Sequence, residues 1–205
     1  MKCPICNWMG SAFINCRGRL NARCPKCGSL ERHRHQYLIL NSSELGAALK
    51  NGRVLHIGPR KYEQLMLSEA QYYFSCDLNP QKGQICCCLE TLPFKTSIFD
   101  LLWVSHVLEH IPNLLKALQE CYRVLKPFGL AMFDVPLYDS LTKQLEQPDY
   151  QGHYWHPGLD WFDRYLAVGF KVTLYDPMQY PMSFGLLHSN TIAVCQKPLC
   201  SSKSR

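Results

Sequence analysis

Hydrophobic residues fall into two alternating kinds of stretch. Short apolar runs at 53–57 (Arg53-Val54-Leu55-His56-Ile57), 72–76 (Tyr72-Tyr73-Phe74-Ser75-Cys76), 98–104, 130–135, 170–175 and 191–195 read as strands. Between them lie stretches of helical spacing. Residues 63–69 offer Leu65 and Met66 for packing, and 114–125 place Leu114, Leu115, Leu118, Tyr122 and Leu125 on one stripe, ended by Lys126-Pro127-Phe128-Gly129. Residues 159–168 form a further helix, with Gly169 as its stop. Upstream, 29–40 has helical character, with Leu30, Tyr37, Leu38 and Leu40 apolar, and Asn41-Ser42-Ser43-Glu44 resembles a cap before a short turn to Leu49. Strands alternating with helices predict an α/β domain, a mostly parallel Rossmann-like sheet with helices on both faces. Ligands of such sheets sit at the carboxyl ends of the strands. This directs attention to Gly58, Asp77, the segment around Cys88, Ser105-His106 and the residues after Val135.

The first 30 residues break this pattern. Cys3-Pro-Ile-Cys6 and Cys24-Pro-Lys-Cys27 have the spacing that aims two thiolates from each turn at one tetrahedral ion. With 205 residues, 47% hydrophobic and only 19% charged, the chain has material for its own core and no need of a disulfide framework. A structural zinc ribbon held by Cys3, Cys6, Cys24 and Cys27 is therefore expected, with Cys16 a bystander thiol. The adjacent Cys86-Cys87-Cys88 point alternately across an extended segment and cannot converge on one ion, so they are expected to be buried small hydrophobes. The organisation predicted is a ribbon at 1–30, a helical linker at 31–49, a catalytic-type domain at 50–198 and a disordered tail at 199–205. The absence of a long apolar run and of a signal-peptide pattern predicts a soluble cytoplasmic protein without a membrane partner.

Charge is concentrated on the ribbon. The net charge is +6, and residues 1–35 account for it, with seven basic residues against Glu31 alone. Bound zinc thiolates would leave this module at about +4, enough to favour an anionic partner such as RNA or a nucleotide-linked substrate. The alternative is a solvated surface that keeps a small metal module soluble.

Several segments, in order, resemble the class I S-adenosylmethionine-dependent methyltransferases, and in particular a small bacterial subgroup with an N-terminal zinc ribbon. They are Val54-Leu55-His56-Ile57-Gly58-Pro59; Asp77; Leu92-Pro93-Phe94 with Phe99-Asp100; Ser105-His106-Val107-Leu108-Glu109-His110-Ile111; and Arg123-Val124-Leu125-Lys126-Pro127-Phe128-Gly129. Cys24 to Arg34 and Gly169-Phe170 extend the likeness over most of the chain. The resemblance implies a seven-stranded sheet with its last strand antiparallel and S-adenosylmethionine across the strand ends. His56, Gly58, Pro59, Asp77, Leu78, Cys88, Leu89, Glu90, Ser105 and His106 are the candidate cofactor contacts. Asp77, 19 residues past Gly58, is the acid expected to accept the ribose hydroxyls. The chain departs from the family at four places. It has one glycine in the first loop, Arg60 where an acidic or small residue is common, Cys88 where relatives place an aspartate for the adenine amino group, and Phe128 where they place a glycine.

A sulfonium leaving group needs little acid–base help, so the protein's task is alignment, with deprotonation useful for a hydroxyl or amine acceptor. His106 and His153 are the candidate bases, and a structural hydrogen bond is the alternative for either. His110 is expected to cap or pack. The aromatic segment 136–157 is long enough to serve as a substrate lid. The function expected is O- or N-methylation of a small-molecule acceptor, such as a sugar or secondary metabolite. The alternatives are RNA base methylation served by the basic ribbon, and a non-catalytic adaptor.

Overall fold

The computed structural model describes residues 1–42, 44–186 and 190–199; most of the expected tail, 200–205, lies outside them. The chain begins with the four-cysteine ribbon, whose hairpin pairs β1 (Ile14–Cys16) with β2 (Arg19–Arg23), Cys16 lying opposite Arg19. Arg17 and Gly18 form its two-residue turn with φ of 51° and 75°. Two successive left-handed residues match the strand twist of a tight hairpin, and this position normally prefers Asn or Gly rather than Arg. Helices α1 (Glu31–Ser42) and α2 (Leu45–Asn51) follow.

The main domain then runs β3 (Arg53–Ile57), α3 (Lys61–Met66), β4 (Tyr72–Asp77), β5 (Ile85–Cys86), β6 (Phe99–Ser105), α4 (Leu114–Val124) and β7 (Leu125–Asp134). A small hairpin, β8 (Lys143–Gln144) with β9 (Trp155–His156), is followed by α5 (Asp163–Val168), β10 (Lys171–Tyr175) and β11 (Ile192–Gln196). The sheet has seven strands in the order β10-β11-β7-β6-β3-β4-β5, as expected. The strands from β7 to β5 are mutually parallel, and β11 is antiparallel to both neighbours.

Strand alternation divides the core into two layers. Leu55, Leu102, Ala131 and Phe133 face α4 and α5, burying Leu118, Cys121, Trp161 and Tyr165 among others. The residues between them, Val54, Leu101, Trp103 and Met132, face Ile39, Leu40, Leu45 and Leu49 of α1 and α2. Helices α1 and α2, together with Met66 and Leu67, thus cover the central part of one face of the sheet.

Some sequence expectations are corrected. The buried stripe of α4 is Leu114, Ala117, Leu118, Cys121 and Val124, while Leu115 is 57% exposed. The segment Lys126–Gly129, expected only to stop that helix, already belongs to β7, which starts at Leu125 with an irregular register. Phe128 there is exposed at φ 62°, a backbone suited to the glycine of its relatives. The helix expected at 159–168 is a 3-10 turn, Leu159–Phe162, leading into α5. Cys86 forms the two-residue edge strand β5 and is exposed, with Cys87 and Cys88 half-buried, so this triplet is not a buried cluster.

Arg34 fastens the ribbon to the domain. Its guanidinium is fully buried and donates to the carbonyls of Ala22 (3.0 Å), Ser29 (2.9 Å), Phe184 (2.8 Å) and Gly185 (2.7 Å), lying 4.0 Å from the Phe13 ring centroid. The Tyr62 hydroxyl donates to the Cys27 carbonyl, and the Tyr62 ring stacks on His33. Among the described residues no helix is long and apolar enough to cross a membrane.

Candidate functional site

Two adjoining cavities lie at the carboxyl edge of the sheet. The first, about 460 Å³, is lined by Gly58, Pro59, Arg60, Cys76, Asp77, Leu78, Lys82, Cys87, Leu89, His106, Val107, His110 and Ile111. Gly58 turns the chain out of β3 at φ 65°, and a Cβ there would meet Val107 Cγ2 at 2.6 Å, so no larger residue fits the turn. Its N–H donates to the Cys76 carbonyl, tying the ends of β3 and β4 together. Asp77 ends β4 with its carboxylate partly exposed, and its Oδ1 accepts from the Asn79 N–H at 2.7 Å. Its other oxygen is available to a ligand's hydroxyls.

Not every expected contact lines this cavity. The fully buried His56 ring meets the Tyr73 hydroxyl at 2.9 Å and lies 3.7 Å from Glu63, on the far side of β3 from the cavity wall. Ser105 is also buried, its Oγ accepting from Gln36. Cys88 donates to Glu90 Oε2, and Glu90 Oε1 accepts from the Asn113 N–H at the start of α4, so both are engaged away from the cavity. Cys87 and Leu89, the neighbours of Cys88 on either side where the chain enters a turn, line the cavity instead. That phase could not be read from the sequence, because contiguous cysteines carry no alternation.

The second cavity, about 400 Å³, shares Arg60, His106 and His110 with the first. Its remaining wall includes Arg17 and Arg19 of the ribbon hairpin, Arg32 of α1, Glu109, and Pro136, Tyr138, Gln151 and His153 of the lid segment. His106 has φ 52° and sits between two buried carboxylates, with Nδ1 3.3 Å from Glu109 and Nε2 3.9 Å from Asp134. Burial pushes its pKa down, but the hydrogen bond and charge of Glu109 and the charge of Asp134 outweigh this, and the net shift is upward. Asp134, buried behind it and bonded by Gln36 at 2.6 Å, is pushed up by desolvation. His153 is held by the Tyr138 hydroxyl at 2.9 Å, and burial together with the neighbouring His110 lowers its pKa. His110 Nδ1 meets the Gly152 carbonyl at 2.9 Å. Glu109, His110 and His153 bring one polar atom each within 4.8 Å of the others.

The lid differs in detail from expectation. The Tyr154 N–H donates to the Glu109 carbonyl, and Trp155 Nε1 donates to the Ile111 carbonyl, so these two residues pin the segment down. Tyr138, Gln151 and His153 are the ones that face the cavity. Arg32, Gln36 and Asp134 were not anticipated. The signal for Arg32 and Gln36 was the unbroken polar run from Glu31 to Gln36 in a helix that turns out to pack on the sheet, and that for Asp134 was a lone acid ending the apolar strand β7.

In the ribbon, the Cys3 and Cys27 sulfurs are 3.7 Å apart, as are those of Cys6 and Cys24, and all four lie within 4.8 Å of one another. Zinc–sulfur bonds of about 2.3 Å at tetrahedral angles separate sulfurs by about 3.8 Å, so this donor set fits zinc. Cys16 lies outside the cluster.

Residues 54–133 match the family described as a methyltransferase domain. This stretch contains Gly58, Asp77 and the His106–His110 turn. A ubiquinone/menaquinone biosynthesis C-methyltransferase of Blochmanniella pennsylvanica is 32% identical over 109 residues, 52% of this chain and 39% of that protein. Malonyl-[acyl-carrier protein] O-methyltransferase 1 of Coxiella burnetii is 38% identical over 73 residues, 35% of this chain and 26% of that one. The chain thus spans well under half the length of these curated relatives. Among solved structures, the 1,6-didemethyltoxoflavin-N1-methyltransferase of Burkholderia thailandensis, with bound S-adenosylhomocysteine, superposes with a TM-score of 0.60 at 15% identity, covering 82% of this chain and 79% of that one. The [4+2]-cyclase SpnF gives 0.61 at 14% identity, covering 92% and 87%. The fold is that of the class I S-adenosylmethionine-dependent methyltransferases, and the chain carries a methyltransferase domain. SpnF's presence among its fold-mates means that the chemistry must be argued from the site.

Proposed function

We propose that this protein transfers a methyl group from S-adenosylmethionine to an oxygen or nitrogen of a small-molecule acceptor. The observation that carries the proposal is the joining of the two cavities at Arg60, His106 and His110. One suits a cofactor with ribose hydroxyls, and the other holds proton-accepting side chains beside its inner end. Gly58 would let the backbone approach the cofactor's amino-acid portion, Asp77 would accept the ribose hydroxyls, and Leu89 would pack against the base. When bound, S-adenosylmethionine supplies a methyl carbon already activated by its positive sulfur.

Among the chain's own groups, His153 is the better proton acceptor, because its lowered pKa keeps the ring neutral near pH 7. His106 is drawn toward its protonated form between Glu109 and Asp134, which suits it to hold or donate a proton. Cys3, Cys6, Cys24 and Cys27 would hold one structural zinc. The test is calorimetric titration with S-adenosylhomocysteine. Asp77→Ala should weaken binding by about 1–3 kcal/mol, the cost of leaving hydroxyls unpaired. No binding by the wild-type protein would sink the proposal and favour a non-catalytic adaptor.

A further inference from the structure

Part of the ribbon's basic charge borders the second cavity: Arg17, exposed at its mouth, and Arg19 line it, whereas Lys2, Arg23 and Lys26 are exposed elsewhere. Arg34 is consumed by four carbonyls, and Arg19 pairs with Glu31 at 3.1 Å. Arg17, Arg19, Arg32 and Arg60 all line the second cavity, beside His106 and His153. Among the described residues neither Arg17 nor Arg32 has a carboxylate within ion-pair distance, and Arg32 Nε is buried without a hydrogen-bond partner. Among the described residues Arg60 donates to the His106 carbonyl at 3.2 Å. Arg17 holds its place at the hairpin tip in a left-handed backbone, φ 51°, that strains a side-chain-bearing residue. Against these four guanidinium groups stand Glu31, already paired with Arg19, Glu109, which faces His106, and the buried Asp134 and Glu63, whose charges also act on Arg32.

We infer that the second cavity binds a phosphate group, and that the methyl acceptor is a small phosphorylated molecule held by Arg17, Arg19, Arg32 and Arg60 with its reactive atom toward His106 and His153. This rests on the methyltransferase reading above. Several planar forks converging on one pocket suit a doubly charged, multi-oxygen group better than a single carboxylate. A cavity of about 400 Å³, closed on one side by Tyr138, Gln151 and His153, suits a small molecule. A nucleic-acid strand would instead need a long continuous groove with aromatic platforms along it, which a pocket of about 400 Å³ does not supply. The ribbon is accordingly one wall of the acceptor site.

The test uses the zinc-loaded 205-residue chain and three titrants: S-adenosylhomocysteine, inorganic phosphate, and a single-stranded RNA oligomer, with acetate as the carboxylate comparison. Phosphate should bind the S-adenosylhomocysteine-saturated protein at one site and more tightly than acetate. Arg17→Gly removes one guanidinium and relieves the left-handed strain, so it should weaken phosphate binding at least fivefold while raising the melting temperature. Arg32→Gln should also weaken phosphate binding at least fivefold, with S-adenosylhomocysteine affinity within about twofold of wild type. S-adenosylhomocysteine binding without phosphate binding, or phosphate binding indifferent to both variants, would overturn this inference and leave the methyltransferase reading standing. RNA binding lost in Arg17→Gly, with no response to inorganic phosphate, would replace it with a nucleic-acid acceptor. Failure of S-adenosylhomocysteine to bind would sink the underlying reading and this inference with it.

Discussion

Replacing Arg34 by Met isolates the coupling between ribbon and sheet. The wild-type side chain makes four hydrogen bonds of 2.7–3.0 Å to carbonyls on both sides of the junction. Hydrogen bonds to a charged group contribute about 1.5–3 kcal/mol each, offset by several kcal/mol for desolvating the guanidinium. The substitution retains a comparable apolar stem against Phe13 but strands four carbonyls, and the net loss should be about 3–5 kcal/mol. Since α1 packs on the sheet through Ile39 and Leu40 rather than through Arg34, the loss should appear first as undocking of the ribbon. Amide exchange should accelerate at residues 19–23 and 181–186, phosphate binding should fall, and S-adenosylhomocysteine affinity should change less than about threefold. Arg34→Lys should restore little, because an ammonium cannot span four carbonyls in the fork's geometry. Unchanged exchange at both segments, with a stability loss below about 1 kcal/mol, would refute the reasoning.

Three further outcomes are expected. Phe128→Gly should stabilise the protein by about 0.5–1 kcal/mol in urea unfolding, because φ 62° strains a side chain that is 59% exposed and loses little packing. Burial holds the His35 pKa down to about 4, so the unfolded chain takes up the proton first. The stability that depends on its neutrality is complete above about pH 6.5 and falls as pH drops toward 4. Wild type should therefore lose about 2 kcal/mol more than His35→Leu between pH 7 and pH 5. Chelating the ribbon's metal should abolish phosphate binding while sparing the sheet's cooperative unfolding, and elemental analysis of the untreated protein should give close to one zinc per chain.

The parts of this fold written in hydrophobic periodicity were legible in advance. The strands at 53–57, 72–76 and 98–104 alternate or run apolar because both sheet faces are covered, and Gly58, Asp77 and His106 follow at their ends. What escaped was set by long-range packing. The edge strand β5 is only Ile85–Cys86, too short to show a period, and its neighbours Cys87 and Cys88 offer no contrast from which to tell the cavity-facing side. The placement of the ribbon hairpin beside the second cavity depends on Arg34 meeting Phe184 and Gly185, 150 or more residues away, a contact that local spacing does not encode. His56 and Ser105 were misplaced for a simpler reason: at a strand's end, successive residues face opposite sides of the sheet, and only His106 and Val107 turn toward the cavity.

The central claim is that cofactor and acceptor meet where the two cavities join, with the ribbon as a wall of the second. A crystal structure of the zinc-loaded protein with S-adenosylhomocysteine tests it most directly. The account predicts ribose hydroxyls on Asp77, and the cofactor's sulfur beside His106, opening onto the space between Arg17, Arg32 and His153. A cofactor bound away from Asp77, or one whose sulfur faces bulk solvent with the arginine cavity closed off behind His106, would contradict it.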